Sequence, residues 1–160
     1  ALVEAEPTAA EDKTVREQLF AAAQLDNGTD AAFAAFDKVG DLGPDVLYDL
    51  ATAPKVPPKI VRRANDAVAT PDVLARASKA LKVALELRAA RRMAGGEQCR
   101  VRKALFVRAK DEADARALPY LTELTAMKGC GFLKRSDCHP CLRGDSSLSD
   151  AIVAIRGREK

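Results

Sequence analysis

Proline and glycine fall in this chain where helices would start and stop, and no stretch between them alternates apolar and polar residues as a strand would. Gly43-Pro44-Asp45, Pro57-Pro58 and Thr70-Pro71-Asp72 each put a proline at or near a first helical position. A proline there gives up only an N–H that the helix would leave unpaired. Asp26-Asn27-Gly28, Gly40 and Gly95-Gly96 read as stops. Between these points the residues are rich in Ala and Leu, strong helix formers. The β-favouring aromatics are scarce, with no Trp, two Tyr and five Phe. The expected class is all-α.

Eight helices follow from this punctuation. Thr14 and Glu17 form a T-x-x-E capping box for a helix reaching Gln24, with Val15, Leu19 and Ala22/Ala23 on one face. Asp30 caps a short helix with Phe33 and Phe36 inside, ending at Gly40. The third starts at Pro44 and buries Val46, Leu47 and Leu50. The fourth spans 58–68 around Ile60, Val61, Ala64 and Val68. The fifth and longest is expected over 71–92. Leu74, Ala77, Leu81 and Leu85 lie on one side of it and Val73, Ala80, Val83 and Leu87 on another, the pattern of a sandwiched helix. Helices over 98–110 and 114–127 bury Val101, Leu105, Phe106 and Ala109, then Ala117, Leu118, Leu121 and Leu124. Ser147 and Asp150 make a second capping box for a last helix with Leu148, Ile152 and Ile155.

Short loops between helices suit antiparallel stacking. The stretch Phe33 to Leu50 reads as the joint of a HEAT-type repeat, and Val61-Arg62-Arg63-Ala64 with Ala67-Val68 reads as a second. About two repeats of the usual 40–47 residues and a divergent end would fit. The expected organisation is a flexible acidic segment over 1–12 and one helical repeat-like domain over 13–160, with an irregular cysteine-rich stretch at 128–146. A first residue other than Met suggests processing or excision from a longer chain, so a signal or membrane anchor would lie upstream.

The four cysteines are Cys99, Cys130, Cys138 and Cys141. Three of them lie in the one long stretch without helical periodicity, where cross-links would supply the order that the backbone lacks. Two disulfides are the leading expectation, and they would place the domain outside the cytoplasm. Of the three connectivities, Cys99–Cys141 with Cys130–Cys138 is preferred, because a Cys138–Cys141 bond spans a tight turn more typical of reactive sites. Zinc is an alternative: Cys138-His139-Pro140-Cys141 is a C-x-x-C knuckle, and Cys99 and Cys130 could complete the shell. Thiol–disulfide exchange by Cys138 and Cys141 is a third reading, weakened because that motif belongs after a strand. His139 reads as an exposed spacer.

Charge is unevenly spread. Residues 1–50 carry three basic and eleven acidic groups, and the remainder is net positive by eleven. Arg88, Arg91, Arg92, Arg100, Arg102 and Lys103 form a candidate basic face for an acidic partner. Aromatic interleaving and a nucleic-acid motif are lacking, so nucleic acid is not an expected partner. No run of apolar residues is long enough to span a membrane. A single histidine leaves little room for a His-centred triad, and the glycines lack the lysine and strand of a phosphate loop. Asp111-Glu112-x-Asp114 reads as helix capping, and Arg143-Gly144-Asp145 as a chance adhesion tripeptide. Catalysis and a cofactor are not expected.

The run from Leu85-Glu86-Leu87-Arg88 through Cys99, Arg102-Lys103-Ala104-Leu105, Asp114-x-Arg116-Ala117-Leu118-Pro119, Gly129-Cys130-Gly131-Phe132 and Asp137-Cys138-x-x-Cys141-Leu142-Arg143 to Leu148-x-x-Ala151-Ile152 resembles the C-terminal region of large serine/threonine protein kinases of myxobacteria. The likeness covers roughly residues 43–156. It implies a HEAT-like module that follows a kinase domain and a membrane helix, or a free-standing secreted relative. The kinase's glycine loop, lysine and catalytic aspartates do not occur here, and no residue role carries over. The expected function is a non-catalytic, extracytoplasmic binding or scaffold domain for another protein or a cell-surface component. A cytoplasmic zinc-stabilised adaptor is the alternative.

Overall fold

A computed structural model describes residues 12–93 and 97–159. Among them are nine α-helices: α1 Lys13–Ala22, α2 Thr29–Phe36, α3 Leu42–Thr52, α4 Pro58–Val68, α5 Pro71–Arg76, α6 Lys79–Ala90, α7 Glu97–Glu112, α8 Leu118–Glu123 and α9 Ser147–Arg158. Short 3-10 turns occupy Ala115–Ala117, Phe132–Lys134 and Pro140–Arg143. The only strand-like pairing among the described residues is one antiparallel bridge between Cys130 and Ser136. The class is all-α, as the sequence indicates. The expected acidic segment over 1–12, apart from its last residue, and the Gly95-Gly96 stop lie outside the described residues.

Two compact units divide the chain, one ending at Ser78 and one beginning at Lys79. In the first, α2 and α3 pack together and α3 lies along α4. Its core holds Ala32, Phe33, Phe36, Leu47, Leu50, Ile60, Ala64 and Val68. Phe33 and Phe36 meet edge to face with centroids 5.7 Å apart, a favoured aromatic geometry. Arg63 covers the outer side of Phe33, its guanidinium carbon 4.2 Å from the ring centroid. Gly43 is required where α3 approaches α2, because a Cβ there would overlap the Phe36 carbonyl.

The helix ends differ from the expectation in instructive ways. The cap of α1 is Asp12, whose carboxylate accepts from the Thr14 and Val15 N–H groups. Thr14 therefore sits inside the helix. Asp30 lies within the first turn of α2, where a negative charge suits the dipole, and it pairs with Arg63. The long helix expected over 71–92 is broken. Ala77 takes an extended conformation, with φ −56° and ψ 143°, and Ser78 Oγ donates to Asp45 Oδ1 at 3.0 Å. The helix ends where Ala77 leaves helical geometry, and the Ser78 bond ties the break to α3.

In the second unit α6, α7, α8 and α9 share one core. Val83, Leu87, Leu105, Phe106, Leu121, Leu148, Ile152 and Ile155 meet there, closed from the cysteine segment by Leu142. The helix α7 packs against both α6 and α9. Asp145 stands just before Ser146, the N-cap of α9, and its Oδ1 accepts from the Ser147 N–H and hydroxyl. The Ser147–Asp150 box therefore does not form, and Ser146 Oγ reaches Asp150 instead.

Candidate functional site

The cysteines pair two by two: Cys99 with Cys141 and Cys130 with Cys138, at Cα separations of 6.2 and 5.1 Å. Both separations lie in the ordinary disulfide range. Cys99 stands in the first turn of α7, so the first pair ties the 3-10 turn Pro140–Arg143 to that helix. The second closes an eight-residue step within the irregular stretch. Cys138 and Cys141 go to different partners, so the C-x-x-C is not a dithiol pair. No sulfur is left as a free thiol to ligate zinc.

Polar groups complete the attachment. Arg102 belongs to the candidate basic face by sequence, but it is only 2 % exposed. It sits one turn along α7 from Cys99 and points into the unit. Its Nη2 donates to the Ala90 carbonyl at 3.0 Å, and its Nη1 meets His139 Nδ1 at 2.9 Å. The guanidinium thereby adds a charged donor to a carbonyl at the C-terminus of α6 that also accepts from the Met93 N–H at 3.3 Å, a place where a cation is favourable. Nε has no partner. Burial pulls Arg102 below its usual range and the Glu123 carboxylate opposes this, yet a guanidinium stays protonated.

A protonated Arg102 requires His139 Nδ1 to accept, so His139 is neutral with its proton on Nε2. Burial lowers its pKa first, and the Arg102 charge lowers it further. His139 is thus half-buried and structural, not the exposed spacer that the sequence suggests. Its backbone N–H donates to Asp137 Oδ1 at 2.7 Å. Asp137 also receives Arg143 Nε at 2.8 Å. Those hydrogen bonds hold the Asp137 carboxyl below the usual range, the Arg143 bond being the larger cause. Arg143 continues to the Leu124 and Ala126 carbonyls, both at 2.9 Å, at the end of α8.

The same device recurs at α7, where Arg158 donates to the Ala109, Lys110 and Ala113 carbonyls. Three arginines therefore cap three helix C-termini in this unit. Sequence reading missed Arg143 and Arg158. A basic residue two positions after a cysteine, and one at the chain's end, carried no signal beyond their charge.

The remaining basic-face residues are partly committed. Arg91 pairs with Glu123 at 2.7 Å, and Lys103 with Asp145 at 2.6 Å. Arg100 is paired with Glu97. Arg91 and Arg92 are exposed at the end of α6, while Arg88 is half-buried. Within Arg143-Gly144-Asp145 both charges are engaged internally, so the tripeptide is not displayed as an adhesion loop. The Asp145 carboxyl falls to about 2, chiefly through Lys103 and then the Ser147 hydroxyl. Asp114 accepts from the Arg116 N–H at 3.0 Å, the capping role expected of it.

A shallow cleft of about 400 Å³ opens beside α9, with Leu142, Leu148 and Ile152 below and Val153, Arg143 and Arg156 at the rim. Among the described residues no group of three or more His, Cys, Asp or Glu is placed to hold a metal. No helix among the described residues is long and apolar enough to cross a membrane. No family model, curated protein or solved structure matches the chain.

Proposed function

We propose that the chain is a non-catalytic, extracytoplasmic protein-binding or scaffold module built on HEAT-like helical stacking. It would be the sensing part of a receptor-like kinase or a subunit of a larger assembly. The observation that carries this reading is the pairing of all four cysteines at disulfide distance around one segment. Such pairs persist in oxidising compartments. Around them the buried polar groups are spent on holding backbone, which favours a rigid presenting surface over moving catalytic parts. The likeness of residues 43–156 to kinase-linked regions supports the same reading. The partner-facing cations are Arg92 and Arg100, with Arg91, Arg88 and Lys103 beside them. Arg102 is withdrawn from this set because it is buried.

Two measurements test the reading. Intact mass should rise by four hydrogens on reduction, from two S–S bonds; a chain that gains none, or that carries one bound zinc, sinks the compartment assignment. Crosslinking to an acidic surface protein at low salt should weaken for Arg92→Glu combined with Arg100→Glu, since exposed charge attraction steers capture. Equal capture by the variant would remove the basic face from the proposal.

A further inference from the structure

The second disulfide does more than close a loop. Cys130 N–H donates to the Ser136 carbonyl at 3.0 Å and Ser136 N–H returns to Cys130 at 2.9 Å, while Gly129 N–H reaches the Lys134 carbonyl at 3.0 Å. The Cys130–Cys138 pair lies just behind this bridge. The five residues between form a small, fixed tip. Gly131 has φ +70°, and a Cβ there would strike Ser136 Oγ. Leu133 and Lys134 have φ of 62° and 54°, a left-handed backbone that costs ordinary residues energy and persists only when the surroundings impose it.

The tip displays what soluble surfaces usually cover. Phe132 is 91 % exposed, Leu133 beside it 65 %, and Met127 at the base 66 %. Lys128, Lys134 and Arg135 are exposed around them, and no acidic residue occurs between Glu123 and Asp137. Those two flanking carboxylates are engaged by Arg91 and Arg143. The result is an apolar point flanked along the chain by cations alone.

We propose that this tip docks peripherally on an anionic lipid surface, with Phe132 and Leu133 entering the headgroup region and Lys128, Lys134 and Arg135 meeting phosphates. Two adjacent side chains fall far short of the roughly 800 Å² per partner that a stable protein interface buries. An interfacial anchor needs only a few apolar side chains with cations around them. The charge complementarity is with an anionic bilayer, and the fixed backbone avoids an ordering cost on docking. The tip shares no residue with the Arg92 and Arg100 pair, so different variants test the two proposals and they fail independently.

The test is flotation of the intact, oxidised chain with phosphatidylcholine vesicles and with vesicles that also contain phosphatidylglycerol. Binding is expected only to the second kind, and it should weaken as salt screens the cations. Phe132→Ser should lower partitioning by about tenfold or more, the scale of withdrawing one large apolar side chain. Lys134→Gln and Arg135→Gln should each lower it about fivefold. These side chains are exposed, so far-UV circular dichroism should be unchanged. Leu25→Ser, which removes another apolar residue, 59 % exposed in the first unit, should bind as the parent does. The chain has no Trp, so Phe132→Trp supplies a single fluorophore whose emission should shift blue on anionic vesicles. No flotation at low salt, an unshifted Trp, or an equal loss in Leu25→Ser would overturn the proposal. So would Phe132-dependent binding to a purified protein by a chain that ignores vesicles.

Discussion

The two units reach stability by different routes. The first, ending at Ser78, is built on apolar contact among short helices, with polar links that join helices and turns. Thr29 bridges the α1–α2 turn by donating to the Ala23 and Leu25 carbonyls, and Arg76 reaches the Asp37 carbonyl at the end of α2. The second unit contains nearly twenty residues, 128–146, with no α-helix. Such a stretch buries little apolar surface of its own; among residues 128–141 none is buried. Its order comes from two covalent links and from guanidinium groups that bond to backbone. Where periodic apolar residues run out, cross-links and buried charge take over.

The sharpest way to break that contrast is to remove the long link. Cys99→Ser with Cys141→Ser opens a 42-residue loop, and the chain-entropy relation puts the loss at about 4 kcal/mol. The Cys130→Ser and Cys138→Ser pair opens an eight-residue loop and should cost about 2.5 kcal/mol by the same relation. Hydrogen exchange resolved by segment should show α6 to α9 losing protection in the first variant while α2 to α4 keep theirs. Equal loss in both units would mean that they unfold together and that the links serve the whole chain.

Next in size is Arg102→Ala. It leaves the Ala90 carbonyl with only the long bond from the Met93 N–H, leaves His139 Nδ1 without its donor, and opens a void in the core. An unsatisfied buried polar group alone costs about 1–3 kcal/mol, so a loss of about 3 kcal/mol in urea unfolding is expected. Arg102→Met, which fills the volume, should recover part of it. A harmless Arg102→Ala would show that the polar lock is incidental and the disulfides suffice. The corresponding cut in the first unit is smaller: Thr29→Val removes one buried hydroxyl and should cost about 1 kcal/mol, seen as lost protection in α1 and α2 only.

The sequence was most legible where the first unit's logic applies. Pro58 and the Ile60, Ala64, Val68 stripe place α4 at its observed bounds, because one proline and one apolar face are sufficient causes. The 71–92 helix shows the limit. Its apolar pattern continues across Ala77 and Ser78, and the break at Ala77, tied to α3 through Ser78 and Asp45, has no local mark in the sequence. The basic face failed for the same reason. Arg102 occupies a core position at helical spacing from Leu105, Phe106 and Ala109, and charge alone gives no sign of a carbonyl and an imidazole waiting inside. The tip had a signal that went unread: Phe132 and Leu133 stand between glycine and two cations in a segment with no apolar periodicity to bury them.

The last prediction, and the smallest in effect, turns on His139. Its Nδ1 must accept from Arg102, so the folded state favours the neutral ring. Burial is the first cause of its lowered pKa, the Arg102 charge the next, and Asp137 works against both, with weaker contributions from Arg143 and Glu123. In the unfolded chain the ring titrates near its ordinary value of about 6.5. Above that pH both states are neutral and the Arg102–His139 contact contributes in full. As pH falls below it the unfolded chain takes up a proton that the folded chain resists, so stability drops until the folded pKa is reached. The lowered Asp137 and Asp145 carboxyls add a separate loss only at more acid pH. The urea midpoint of the second unit should therefore fall between about pH 7.5 and about pH 5, a window that the carboxylates scarcely enter. His139→Gln keeps an acceptor for Arg102 but cannot titrate, and its midpoint should stay nearly flat across the same window. Parallel slopes in the two proteins would show that His139 takes up a proton as readily folded as unfolded, and the donor–acceptor order drawn for the Arg102 contact would have to be abandoned.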